Sequence, residues 1–160
     1  MTLTEEEILS YVVSLPDVVT VTASAANGAP EVAWGDSFFS YDPERNLADD
    51  PRFLPFATLV TKDYDDFDTA SALDRPGVFR LNIAVGKRLF EQLIGYPPAG
   101  HAGRHRDWDY TVTDTLLPHP AYATHAWVSI LNPGDRTSEQ ARALLRSAHQ
   151  RAVERHRVHR

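Results

Sequence analysis

The chain has no cysteine. That one absence removes disulfides, thiolate-held zinc, iron–sulfur clusters and thiol nucleophiles. Lysine is scarce too: Lys62 and Lys87 are the two among sixteen basic residues. No apolar run approaches the roughly 20 residues that a membrane-spanning helix needs, so no membrane partner is expected. The opening MTLTEEEILS is acidic, with no basic segment leading into an apolar core, and does not read as a signal peptide. A soluble, cytoplasmic location is the expectation. There is no Gly-rich phosphate loop and no GxSxG elbow, and the glycines are too scattered to build either. No cofactor is therefore expected.

What is present suits one globular domain spanning 1–160. At 160 residues, 42% of them apolar, the chain can bury a core of its own without staples. The net charge of −6 is unevenly placed. Residues 142–160 hold six Arg and one Glu, a local +5, so the rest of the chain carries −11. An acidic body repels phosphate backbones, and nucleic acid is not an expected partner. The basic C-terminal stretch reads as a helix end that complements the helix dipole.

Local patterns give the order of elements. Thr4 with Glu7 fits a capping box, and Ile8, Tyr11, Val12 and Leu15 make one apolar helical face, stopped by Pro16. Val18 to Thr22 is β-branched and predicts a strand. Asn27-Gly28 predicts a turn, with Glu31 to Trp34 as the returning arm, a break at Gly35-Asp36, and resumption at Ser37 to Tyr41. Residues 44–55 have no period and read as a loop. Phe56 to Lys62 predicts a strand, and Asp68 to Leu73 a short helical turn. In Val78 to Val85, Phe79, Leu81 and Ile83 take one face while Arg80 and Asn82 take the other, which predicts a half-buried strand with its polar side outward.

Gly86 to Ile94 predicts a helix closed by Gly95, and residues 97–108 a second short one. Asp109 to Thr115 alternates like a strand, and Leu116 to Pro120 reads as an irregular corner. Ala126 to Leu131 predicts the last strand. Thr137 or Ser138 then caps a helix that buries Ala141, Leu144, Leu145, Ala148 and Ala152. The fold class that follows is α+β: an antiparallel sheet of four to six strands, with the N- and C-terminal helices packed on one face.

Four segments carry a resemblance. They are ANGAPEVAWGDSFFSYDP (26–43), FATLVTKDY (56–64), LDRPGVFRLNI (73–83) and HPAYATHAWVSILNPG (119–134). Together they resemble an uncharacterised actinobacterial domain-of-unknown-function family, which implies no activity. More loosely, the order of elements is similar to that of MmcQ/YjbR-like proteins, which open with a short helix and close with a Trp-bearing strand and a helix. Trp127 and the helix after Thr137 occupy those places. That likeness implies a small α+β fold and a nucleic-acid role. The long segment 42–56 and the acidic body depart from it.

Candidate chemistry is sparse. His101 and His105 have helical metal-ligand spacing, but Gly100 and Gly103 weaken a helix there and no third ligand is fixed. No metal is expected. Asp63, Asp65, Asp66 and Asp68 alternate as in a calcium loop, without its Gly or its closing Glu, and read as a solvated loop. The best set is a polar sheet face with Trp34, Asp36, Lys62, Asp63, Arg80 and Asn82, joined by His119 and Trp127. Such a face suits a small anion or amide. The expected function is a binding or interaction domain with an anion-binding cleft on the sheet. Its expected partners are a small-molecule ligand on the polar sheet face or a second copy of the chain through a homodimer surface. An acid–base or hydrolytic enzyme using Asp36, Asp63 and His119 is the alternative, so catalysis stays open. A weak nucleic-acid binder is the second alternative.

Overall fold

Thr4 starts the first helix in both directions. Its hydroxyl accepts the Glu7 N–H at 3.0 Å, and the Glu7 carboxylate accepts the Thr4 N–H at 3.2 Å. This capping box opens α1 (Glu5–Val13) in the computed structural model, which describes residues 2–29, 31–45, 54–64 and 68–158. Ile8 and Val12 are buried, as the periodicity requires. The helix ends before Pro16 can act, because Ser14 caps it and bonds back to the Tyr11 carbonyl.

Six strands follow: β1 (Val18–Thr22), β2 (Ser37–Tyr41), β3 (Ala57–Val60), β4 (Arg80–Ala84), β5 (Leu116–Pro118) and β6 (Trp127–Leu131). They form one sheet in the order β1-β2-β3-β4-β6-β5. Every neighbouring pair is antiparallel, and one isolated parallel bridge joins Thr113 to Leu131. Two further helices are α2 (Lys87–Ile94) and α3 (Ser138–Val158).

The register sorts side chains onto two faces. Phe39, Ala57, Ile83 and Val128 are successive partners across four strands, with Leu59, Leu81 and Ile130 in the next row. All seven belong to one core with Ile8 and Val12 of α1, Phe90 of α2, and Ala141, Leu144, Leu145, Ala148 and Ala152 of α3. The terminal helices thus cover the same face. They also touch one another: the Tyr11 hydroxyl donates to the Arg142 carbonyl at 3.2 Å, and His149 Nε2 bonds the Pro16 carbonyl at 2.7 Å.

Five expectations are corrected. Glu31–Ala33 is a 3-10 turn rather than a strand arm. The ladder ends where Ala23 pairs with Gly35 and Asp36, because Gly35 at φ +89° turns the chain out of it. Asp109 to Thr115 is no strand either. Asp109 accepts the Thr111 N–H at 3.0 Å and its hydroxyl at 2.6 Å, which bends the chain. The strand is instead Leu116–Pro118, on the sheet edge, where the N–H that Pro118 lacks is not needed. Asp68 to Leu73 makes turns with Ala72 at φ +52°, not a helical turn. The stretch 97–108 yields two 3-10 pieces, Pro98–Gly103 and His105–Asp107.

Candidate functional site

The second face of the sheet has Arg80 at its centre. Thr58, Asn82 and Ser129 form one row across β3, β4 and β6, and Val60, Arg80 and Leu131 form the next. Arg80 is 0% exposed and Asn82 1%. The polar side of β4 is therefore not outward, which corrects the expectation of a half-buried strand. Loop residues cover it: Asp68 and Ser71 lie over the guanidinium, and Leu73 joins Val60, Leu117 and Leu131 in a second small core.

Arg80 is nearly saturated. Nε donates to Asn82 Oδ1 at 2.8 Å, and Nη1 donates to Asp68 Oδ1 at 2.8 Å and to Ser71 Oγ at 2.9 Å. Nη2 closes the pair on Asp68 Oδ2. Asn82 is equally engaged, accepting from the Ser129 hydroxyl at 2.8 Å and donating to Thr58 Oγ1 at 2.9 Å. Four of the five guanidinium N–H groups are used within the chain. The charge is cancelled by Asp68, so little is left for an incoming anion. Asp68, read from the sequence as part of a solvated loop, is buried.

His119 belongs to the same buried region. Its Nδ1 accepts N–H bonds from Ala121 at 2.9 Å and Tyr122 at 3.0 Å, which fixes the neutral ring with its proton on Nε2. Burial, and then the Arg80 charge, hold its pKa well below the usual imidazole value. Its ring lies 4.9 Å from that of Tyr122 and 6.3 Å from that of the half-buried Trp127.

Asp36 sits at the end of a separate chain of groups. Its Oδ1 accepts the Thr61 N–H at 2.7 Å and the Thr61 hydroxyl at 3.1 Å, and Oδ2 is buried with no well-aligned partner among the described residues. Burial raises its pKa, against the pull of Tyr64, Thr61 and Lys62. Burial and the Asp36 carboxylate also raise the Tyr64 hydroxyl, which feels Asp68 and Arg80 in turn.

The remaining sequence candidates tie loops together. Lys62 Nζ donates to the Glu31 carbonyl at 2.8 Å, and Asp63 Oδ1 accepts the Leu73 N–H at 2.9 Å. The Trp34 indole donates to the Ala29 carbonyl at 2.9 Å with 39% of the residue exposed. Among the described residues, no hydrogen bond or ion pair joins His119 to Asp36 or Asp63. Nor, among them, does any group of three or more His, Asp or Glu stand ready to hold a metal. Asp65 and Asp66 lie outside the described residues. Sequence reasoning missed Thr58, Ser71 and Ser129, whose only signal is their register or loop position opposite Asn82 and Arg80.

A positively charged cavity lies elsewhere. Between α2 and α3 is a space of about 430 Å³ lined by Lys87, Arg88 and Arg151, with Val85, Gly86, Leu89, Gln92 and Ser147. It contains three cations and no carboxylate, and none of the eight sequence candidates lines it. It opens on the start of α2. Gly86 is the N-cap there, so no side chain caps the first-turn N–H groups. A Cβ on Gly86 would stand 2.6 Å from Arg151 Cζ, so the missing side chain is what lets that guanidinium lie across the helix start. Among the described residues Arg151 makes one long hydrogen bond, 3.4 Å to the Ala84 carbonyl; burial and then Arg155 lower its pKa, against the pull of Glu154.

Over its whole length, residues 1–160, the sequence matches a family of unknown function (DUF6194). The chain belongs to that family. This agrees with the resemblance to a domain-of-unknown-function family carried by the four segments. No curated protein and no solved structure matches the chain. No helix among the described residues of this DUF6194 member is long and apolar enough to cross a membrane.

Proposed function

We propose that this DUF6194 protein is a binding domain for a small anionic molecule, seated in the cavity between α2 and α3. The observation that carries this reading is the lining itself: Lys87, Arg88 and Arg151 all border the space and no carboxylate does. The uncapped start of α2 adds N–H donors and the positive end of a helix dipole. A volume of about 430 Å³ exceeds what a simple ion needs and falls in the range of small-molecule pockets. Val85 and Leu89 offer an apolar wall, and Gln92 and Ser147 offer neutral hydrogen bonds to the body of the ligand.

The anion-binding role expected of Arg80 passes to Arg151 on this reading, because Arg80 is neutralised by Asp68. The acid–base alternative gains no support, since the backbone occupies His119 Nδ1. We also read the protein as a cytoplasmic member of an actinobacterial family with an MmcQ/YjbR-like arrangement. Support for that is the sequence resemblance, the opening helix, and the closing order of Trp127-bearing strand and helix.

Inorganic phosphate is the simplest probe. It should raise the melting temperature more than chloride at matched ionic strength, and Arg151→Gln should abolish the difference. Equal effects of the two salts, or an undiminished response in the variant, would sink the proposal.

A further inference from the structure

The segment after α2 holds a hydrogen-bonded cluster that the cavity does not use. The Trp108 indole N–H donates to the Tyr96 hydroxyl oxygen at 2.8 Å. The Tyr96 hydroxyl is bonded to His101 Nδ1 at 2.8 Å. His101 Nε2 is bonded to the Tyr110 hydroxyl at 3.2 Å, and that hydroxyl donates to the His105 carbonyl at 2.8 Å.

These bonds leave one arrangement of protons. Tyr110 spends its proton on a carbonyl, so it must accept from His101 Nε2–H. The neutral ring then has a bare Nδ1, which must accept the Tyr96 proton. Each side-chain proton has one acceptor. His101 is 4% exposed and Tyr110 6%, so water is poorly placed to replace the bond between them, while Tyr96 and Trp108 are half-buried.

We propose that Tyr96, His101 and Tyr110 form a protonation-sensitive latch that holds residues 96–110 against α2 and the 123–125 turn. A solvent proton taken up at Nδ1 gives the ring two N–H groups. Tyr96 can no longer donate to it, and no second acceptor for the Tyr96 proton exists within the cluster. The surroundings also disfavour a cationic ring. The His105 ring lies 5.6 Å away and the Arg104 guanidinium 5.3 Å above the Tyr96 ring. Burial, then His105, accordingly lowers the His101 pKa. Asp107, close enough to act on both tyrosines, is the opposing negative charge. On the elements packed against the segment, α2 carries Lys87 and Arg88 in its first turn and Glu91 in its last, and the 3-10 turn Ala123–His125 carries His125.

The sign is fixed. A fold that prefers neutral His101 loses stability as pH falls below the unfolded imidazole value of about 6.5. The latch is closed at neutral pH and opens in acid.

NMR of the full chain between about pH 8 and about pH 5 tests this, across the range where imidazole titrates. The Trp108 indole N–H resonance should move in step with the His101 ring, with a midpoint below about 6.5. Amide exchange at Phe90 to Gly95 should quicken over the same interval. His101→Asn keeps a donor and an acceptor but does not titrate, and should flatten the Trp108 response. His105→Asn should leave it in place. A Trp108 signal that stays flat while His101 titrates, or a step that disappears with His105 rather than His101, overturns the latch. Both readouts are independent of phosphate, so they stand apart from the fate of the cavity.

Discussion

Arg80 and Asp68 meet in a two-bond ion pair, with Arg80 0% exposed and Asp68 5%. One comes from the middle of the sheet and the other from a loop twelve residues earlier. The pair closes the second face of the sheet, and it sets the cost of disturbing that face.

Arg80→Ala and Asp68→Asn should each destabilise the fold by about 3–5 kcal/mol, because either change strands a buried partner. An exposed pair would cost about 1 kcal/mol or less, and the sequence pattern alone implies that smaller value. The double replacement Arg80→Met with Asp68→Leu should recover much of the loss, since no charge is then left unpaired. Urea midpoints of the three variants decide it. Single variants within about 1 kcal/mol of the parent would show that the pair is open to water.

Leu81→Ala should cost about 2–5 kcal/mol through lost transfer and a new cavity. Leu81 is 0% exposed on the helix-covered face, directly beside Arg80 on the opposite one. Adjacent positions on β4 should therefore both prove sensitive. An ordinary half-exposed strand alternates instead. Chemical denaturation of Leu81→Ala and Arg80→Ala side by side measures this.

Asp114 should govern an acid limb of stability. Its Oδ1 accepts the Gly134 N–H at 2.8 Å, the Thr137 N–H at 3.0 Å and the Thr137 hydroxyl at 2.6 Å, and Oδ2 accepts the Arg136 N–H at 3.0 Å. Burial pushes its pKa up, but these bonds outweigh it and hold the carboxyl at about 2. Its contribution is present above the unfolded value of about 3.9 and is lost as pH falls from there through the folded value. Asp114→Ala should cost about 1–2 kcal/mol at neutral pH, as the loss of a helix cap does. It should also flatten the acid limb. An unchanged limb in the variant would assign the effect to another carboxylate.

Gly86→Ala should be worse than an ordinary glycine replacement. At φ +86° and ψ 163° the backbone is in a region open essentially to glycine, with a strain cost of about 1–3 kcal/mol for other residues. The new methyl would also meet Arg151 and push it off the start of α2. Lower melting temperature and a weaker phosphate response should appear together. A weaker melt with the phosphate response intact would separate Arg151 from the ligand.

The parts of the fold legible in the sequence are those whose signals are local. Thr4 and Glu7 announce α1, the β-branched run at 18–22 announces β1, and the apolar stripe from Ala141 to Ala152 announces α3. β5 was not legible, because Leu116, Leu117 and Pro118 carry a turn signal and become a strand only by lying along β6. The period of two in β4 assigned Arg80 and Asn82 to one face correctly. It could not say what lay over that face, since Asp68 and Ser71 reach it from a charged loop that reads as solvated. The cavity was hidden for a similar reason. Gly86 is visible as a helix start, but Arg151 arrives there only through the packing of α3.

The strand order has a consequence for the chain as it is made. β4 pairs with β3 on one side and with β6 on the other, while β5, which precedes β6, pairs only with β6. In a sheet that formed as the chain was made, β4 would be an open edge from the time residue 84 emerged until residue 131 did, and β5 would have no strand to join. A bare edge can recruit a neighbouring nascent chain unless its own side chains discourage that. Through that interval the polar face of β4 carries Arg80, whose partners Asp68 and Ser71 already exist, and Asn82, whose partner Ser129 has yet to be made.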